Sequence, residues 1–178
     1  MKTINVPTRE QVNKESQEIF DNISKRLGKV PNLYATIGYS SIALKAMLNF
    51  EETFNNGIFN PKEREAIYLV VSQVNHCNYC LAAHSMLAGM RGFSNDEILN
   101  LRRGLSTDSK FQTALQLAKA IAENKGEVDI SKKDAFFDAG YDEAALMELA
   151  SLISLRTFTN YIYALTEIPI DFPEVPKI

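Results

Sequence analysis

Apolar residues recur along the chain at intervals of three and four, and the pattern breaks at glycine, proline or short polar runs. Such spacing lines one face of an α-helix. With Thr8 as cap, it predicts a helix to Leu27, carrying Val12, Ile19, Phe20, Ile23 and Leu27, with Gly28 as the stop. Pro31 opens a short turn or helix. Ser40 or Ser41 opens the next segment, with Ile42, Leu44, Met47, Leu48 and Phe54, up to Asn55-Asn56-Gly57. Asn60-Pro61-Lys62-Glu63 combines a cap, a proline at the first helical position and an early acid. The segment from there to Val74 is rich in β-branched residues (Ile67, Val70, Val71, Val74). Its start signal and length predict a buried helix nonetheless, because propensity is a weak prior.

Further helices are predicted from about Asn78 to Met90, stopping at Gly92, and from Ser94-Asn95-Asp96-Glu97 to Gly104. Lys110 to Asn124 shows one apolar face of Phe111, Ala114, Leu115, Ala118 and Ala122. Ser131 caps a short helix ending at Gly140, and Asp142 caps a long one to about Ala164. From about residue 168 to 178, Pro169, Pro173 and Pro176 predict an extended tail on a surface or a neighbouring subunit. No strand pairs with another through a hairpin signal, and no linker or repeat divides the chain. The expectation is all-α, with residues 1–178 as a single domain.

Composition narrows the function. At 178 residues, 46% hydrophobic and 23% charged, the chain can bury a sizeable core. Its 19 Lys and Arg against 22 Asp and Glu give a net charge of -3, which argues against nucleic acid or an anionic membrane surface as partner. The longest apolar run, Ala66 to Val71, is too short to span a bilayer. Met1-Lys2-Thr3-Ile4-Asn5-Val6-Pro7 carries no apolar signal core, so the expected location is cytoplasmic.

The chemistry concentrates in one stretch. The chain has two cysteines, Cys77 and Cys80, in a C-x-x-C arrangement. A cross-link closing four residues is worth about 2 kcal/mol in the loop-entropy model, against nearly 5 for a hundred-residue loop, so a structural staple is a poor use of the pair. Redox chemistry or metal binding fits better. On a helix, Cys80 and His84 lie one turn apart on one face, and Cys77 lies seven residues before His84, nearly in phase. Residues three apart on a helix have α-carbons at roughly 5 to 5.5 Å, within disulfide range. A helix start and a nearby imidazolium both favour thiolate, the nucleophilic form. Glu65, on the preceding helix, reaches His84 if the two helices pack antiparallel. His76, the other histidine, is expected to face solvent, and Phe54, Tyr68, Met86 and Phe158 are expected in the core. Zinc wants four ligands, and Cys77, Cys80 and His84 supply three, with His76 or Glu65 an awkward fourth. Two inert buried thiols are the bland alternative.

Glu65, eleven intervening residues and Cys77-Asn78-Tyr79-Cys80-Leu81-Ala82-Ala83-His84 resemble the AhpD-like alkylhydroperoxidases of the carboxymuconolactone decarboxylase superfamily. The likeness is most specific over about Pro61 to Phe93. The late Asn160-Tyr161 and Pro169-Ile170-Asp171 segments are similar to the peroxidase-related branch. The resemblance implies an AhpD-like helical bundle with the C-x-x-C at the start of a central helix, assembled as a homo-oligomer, trimer or hexamer. It implies no cofactor and no metal. Cys80 would be the peroxidatic thiol, activated through His84 and Glu65. Cys77 would resolve the sulfenic acid to a disulfide, which a dithiol reductant, lipoyl or thioredoxin-like, would then open. Helix-start physics alone points instead to Cys77 as nucleophile.

One departure stands between the cysteines, where well-characterised members carry a histidine and this chain has Tyr79. A phenol is a hydrogen-bond donor but a poor base at neutral pH. The leading expectation is thus a thiol-dependent hydroperoxide reductase or disulfide oxidoreductase of antioxidant defence, acting on a small hydroperoxide. The alternatives are a helical module holding structural zinc and a decarboxylase-like lyase without redox chemistry.

Overall fold

The structure, a computed structural model, describes residues 3–176 and 178; Met1 and Lys2 of the N-terminal reading and Lys177 of the predicted tail lie outside them. Among the described residues there are nine α-helices and no strand: α1 (Lys14–Leu27), α2 (Asn32–Ile37), α3 (Ser41–Thr53), α4 (Pro61–Val74), α5 (Asn78–Met90), α6 (Asn95–Arg102), α7 (Ser109–Glu123), α8 (Ile130–Asp138) and α9 (Glu143–Thr166). The all-α expectation holds.

Helix α4 is the axis of the bundle, packed by α5, α6, α7 and α9. Ala66, Ile67, Leu69, Val70, Val71 and Ser72 are fully enclosed. A helix covered on every side needs apolar residues all round, which explains why its β-branched content does not make it a strand. Its start follows the sequence signal. The Asn60 side chain accepts from the Lys62 and Glu63 amides at 2.9 and 3.0 Å, and Glu63 accepts from the Asn60 amide at 2.8 Å. One hydrophobic cluster runs from Val12 to Ile168 and takes in residues of most helices.

Three expectations need correction. Thr8 does not start a continuous helix to Leu27. With Gln11 it closes a single 3-10 turn, Arg9–Gln11; Asn13, extended and accepting from the Ser16 amide at 2.9 Å, then caps α1 afresh. The break sets Val12 into the core. Helix α8 starts two residues earlier than predicted, so Asp129 stands at the cap position and Ser131 lies inside the first turn. Of the four expected core side chains, Phe54 and Tyr68 are buried, whereas Met86 and Phe158 are both 37% exposed.

The tail is extended but lies against its own chain. Ile168 is buried, the Phe172 ring meets Tyr79 edge-on at 5.4 Å, and the Pro176 carbonyl accepts from Arg102 at 2.8 Å. No helix among the described residues is long and apolar enough to cross a membrane.

Candidate functional site

The site is built on the α4–α5 hairpin. Three residues join the helices. Asn75 ends α4, exposed His76 takes the left-handed region at φ 54°, and the Cys77 amide donates back to the Ser72 carbonyl at 3.0 Å. The left-handed residue costs roughly 1–2 kcal/mol for a non-glycine, and it turns the chain sharply enough for α5 to run back along α4. Asn160 of α9 braces the turn, accepting from Asn75 at 2.9 Å and donating to Ser72 at 3.2 Å.

Cys77 is the N-cap of α5, and its sulfur accepts from the Cys80 amide at 3.2 Å. A cap position usually carries a side-chain oxygen; here a sulfur faces the first-turn amides. The α-carbons of Cys77 and Cys80 are 5.3 Å apart, as helix geometry predicts, and the two sulfurs are joined in a disulfide. Both residues are buried, 1% and 2% exposed.

Antiparallel packing brings Glu65 to His84. The His84 Nδ1 lies 2.7 Å from Glu65 Oε2, with both side chains buried. Burial pushes the Glu65 carboxyl upward. The His84 hydrogen bond and the charges around it, Arg156 and Arg91 among them, outweigh that and hold it below the ordinary carboxylate range. Burial and then the Arg156 charge push His84 downward, against the pull of Glu65. The resting pair is therefore a carboxylate and a neutral imidazole. Nδ1–H donates to Glu65, which leaves Nε2 as the free basic nitrogen.

Three contributors were not among the site candidates of the sequence, where Tyr68 was expected only in the core. Arg91 donates through Nε to Glu65 Oε1 at 3.1 Å, so the carboxylate is held on both oxygens. A signal for it existed, because Cys77, His84 and Arg91 are spaced seven and seven along one face. Tyr68 packs its ring 5.1 Å from the His84 ring, and Arg156 stacks its guanidinium 3.9 Å over Tyr68. No local pattern points to Arg156, which belongs to α9.

Tyr79 faces another way. Its hydroxyl donates to Asp171 at 2.7 Å and accepts from the Leu33 amide at 3.1 Å. Burial, then the Asp171 hydrogen bond, raise its pKa and keep it a phenol. Both its hydrogen-bonding capacities are therefore engaged with the tail and α2, not with His84 or Glu65.

With the sulfurs bonded to each other and His84 bonded to Glu65, no three His, Cys, Asp or Glu side chains among the described residues converge as ligands. A separate cleft of about 420 Å³ opens where α4 begins, lined by Phe59, Glu63, Asp108, Lys110, Tyr141 and Asp142 among others. It contains none of the site residues.

Residues 43–123 match the family model of the carboxymuconolactone decarboxylase family, a span holding Glu65, Cys77, Cys80, His84 and Arg91. A search of curated proteins gives no match. Among solved structures, the fold is similar to the alkylhydroperoxidase AhpD core of a peroxidase-related protein from Ralstonia eutropha JMP134. The TM-score is 0.83 at 17% identity, covering 99% of this chain and 100% of that one. A peroxidase-related protein from Silicibacter sp. TM1040 aligns with TM-score 0.80 at 21% identity, covering 94% and 92%. The debrominase Bmp8 aligns with TM-score 0.79 at 20% identity, covering 96% and 93%, so a different reaction is named on the same fold. The carboxymuconolactone decarboxylase match thus lies on the segment that carries the candidate site, and the end-to-end likeness to an AhpD core shows the fold.

Proposed function

We propose that the protein is a thiol-dependent hydroperoxide reductase. The observation that carries this reading is the buried Glu65–His84 pair at 2.7 Å, one turn from a cysteine already bonded to its C-x-x-C partner. In the reduced enzyme, His84 Nε2 takes the Cys80 proton while Glu65 steadies the imidazolium that forms. The Cys80 thiolate attacks the terminal peroxide oxygen. The O–O bond breaks, the leaving alkoxide receives the proton from His84, and Cys80 becomes a sulfenic acid. Cys77 attacks that sulfur and expels water, giving the disulfide. An external dithiol then returns both thiols and is itself oxidised to a disulfide.

Assigning Cys80 as nucleophile follows its place one turn before His84. Cys77, as cap, sits where first-turn amides stabilise a resolving thiolate. The zinc module and the lyase lack a comparable observation.

The test starts from reduced protein and one equivalent of cumene hydroperoxide, read by intact mass and free-thiol count. Loss of about 2 Da and of both thiols within seconds is expected. In steady state with a dithiol, Cys80→Ser is expected to lose at least about a thousandfold in peroxide turnover while keeping its fold, as removal of a nucleophile does. Wild-type turnover in that variant overturns the reading. So does unchanged mass after peroxide.

A further inference from the structure

Arg156 is a buried cation with incomplete partners. It is 5% exposed; Nη1 reaches Thr159 Oγ1 at 3.4 Å, Nη2 lies 3.7 Å from Glu51 Oε1, and Nε has no hydrogen-bond partner. A guanidinium held this way is a costly stability element, since desolvation is only partly offset. Its placement gives it another use. One face lies over the Tyr68 ring at 3.9 Å, and that ring lies 5.1 Å from His84, which bonds Glu65. Arg156, Tyr68, His84 and Glu65 thus form a column running from α9 through α4 to α5.

We propose that Arg156 is a positioning residue that keeps His84 a neutral imidazole, with Nε2 free to accept the thiol proton. Glu65 alone would pull the imidazole toward its protonated form, and a protonated His84 cannot act as the base. The Arg156 cation opposes that pull from its place on the Tyr68 ring, which lies between it and His84 in the column.

The charged and titratable groups around His84 are few enough to name. They are Glu65, Tyr68 and Arg64 from α4, Cys80 and Arg91 from α5, Glu51 from α3 with Tyr34 of α2 donating to it at 3.2 Å, and Arg156 from α9. Arg64 is turned to the Phe54 carbonyl and Asn55, and Arg91 is directed at Glu65. Arg156, stacked on the Tyr68 ring that packs against His84, is therefore the cation placed to act on the imidazole through that ring. Consistent with this, burial and then Arg156 lead the causes that depress His84. Arg156 lies outside the residues matched by the family model.

The experiment is a pH titration of the two histidine imidazoles by NMR, in the oxidised protein. Exposed His76 serves as an internal reference. Arg156→Met keeps the buried volume without the charge, a replacement that cores often tolerate. It is expected to move the His84 midpoint up by about one pH unit and leave His76 in place, the scale of a neighbouring charge. Arg156→Lys, which keeps a cation, is expected to restore most of the difference. Glu51→Gln, at a partly exposed site, removes a neighbouring anion and is expected to move the His84 midpoint down.

An unmoved His84 midpoint in a folded Arg156→Met protein overturns the proposal, as does an upward shift in Glu51→Gln. The proposal deepens the thiol reading, but its readout uses no peroxide. A static midpoint therefore overturns the role of Arg156 alone, and absent peroxide turnover in the unmodified enzyme overturns the functional reading alone. Where both stand, the acid limb of the peroxide rate profile moves up with the His84 midpoint in Arg156→Met.

Discussion

Two polar contacts fasten helix α5, one on each flank, and they differ in almost every respect. On one flank His84 meets Glu65 across 19 residues of sequence, with both side chains buried. On the other, Tyr79 meets Asp171 across 92 residues, and Asp171 is also held by Lys29 in a partly exposed ion pair at 2.8 Å. The first is short-range in sequence and shielded from water, where electrostatics act strongly. The second is long-range and closer to solvent, where they act weakly. The difference assigns them different work. Under the proposed function the first moves a proton for the thiol chemistry, whereas the second holds the tail against the first turn of the same helix.

Substitution separates the two flanks. Glu65→Gln is expected to cut peroxide turnover by about 100- to 10,000-fold, the usual worth of a positioned acid–base group. A turnover assay at fixed dithiol reads this directly. If turnover stays within twofold, the Glu65 contact is structural only. Tyr79→Phe is expected to do the reverse. It leaves the buried Leu33 amide without its partner and removes one donor to Asp171, costing about 1–3 kcal/mol in urea unfolding, with turnover within about twofold.

Acid tests the shielded flank by another route. His84 is depressed in the folded protein, by burial first and by Arg156 next, so below about pH 6.5 the unfolded chain takes up its proton sooner. Stability then falls as pH drops from about 6.5 toward the folded His84 value. Glu65, held low against its own burial, adds the same sign further down: its stabilisation is present above about pH 4.3 and lost as pH falls through its folded value. Urea unfolding at a series of pH values is expected to show stability declining below neutrality. A rise on acidification contradicts both assignments. The smallest effect is expected from Lys29→Ala, whose ammonium is half exposed; a loss above about 1 kcal/mol in the same assay would show that the outer ion pair does more than its exposure allows.

The same contrast explains what could be read from the sequence. Helix starts with full caps, at Asn60, Ser94 and Asp142, were legible because the cap and the amides it satisfies lie within three residues. Glu65, Cys77, Cys80 and His84 were legible as candidates because one helical hairpin carries them all. Arg156 and the engagement of Tyr79 by Asp171 were not, since each depends on α9 or the tail arriving from far along the chain. The Thr8 segment was misread for a related reason. Its apolar spacing suits a helix, but a second cap at Asn13 restarts the helix after Val12 has dropped into the core.

The Tyr79–Asp171 contact also has a bearing on how the molecule is made. Protein chains are synthesised from the N-terminus at about 5–20 residues per second, so Asp171 follows Tyr79 by roughly 5–20 s. For most of that interval the cysteines are already synthesised, while Asn160, which braces their turn, and Asp171, which holds Tyr79, are still to come. The C-x-x-C segment is thus made early and fastened late, by residues that arrive with α9 and the tail.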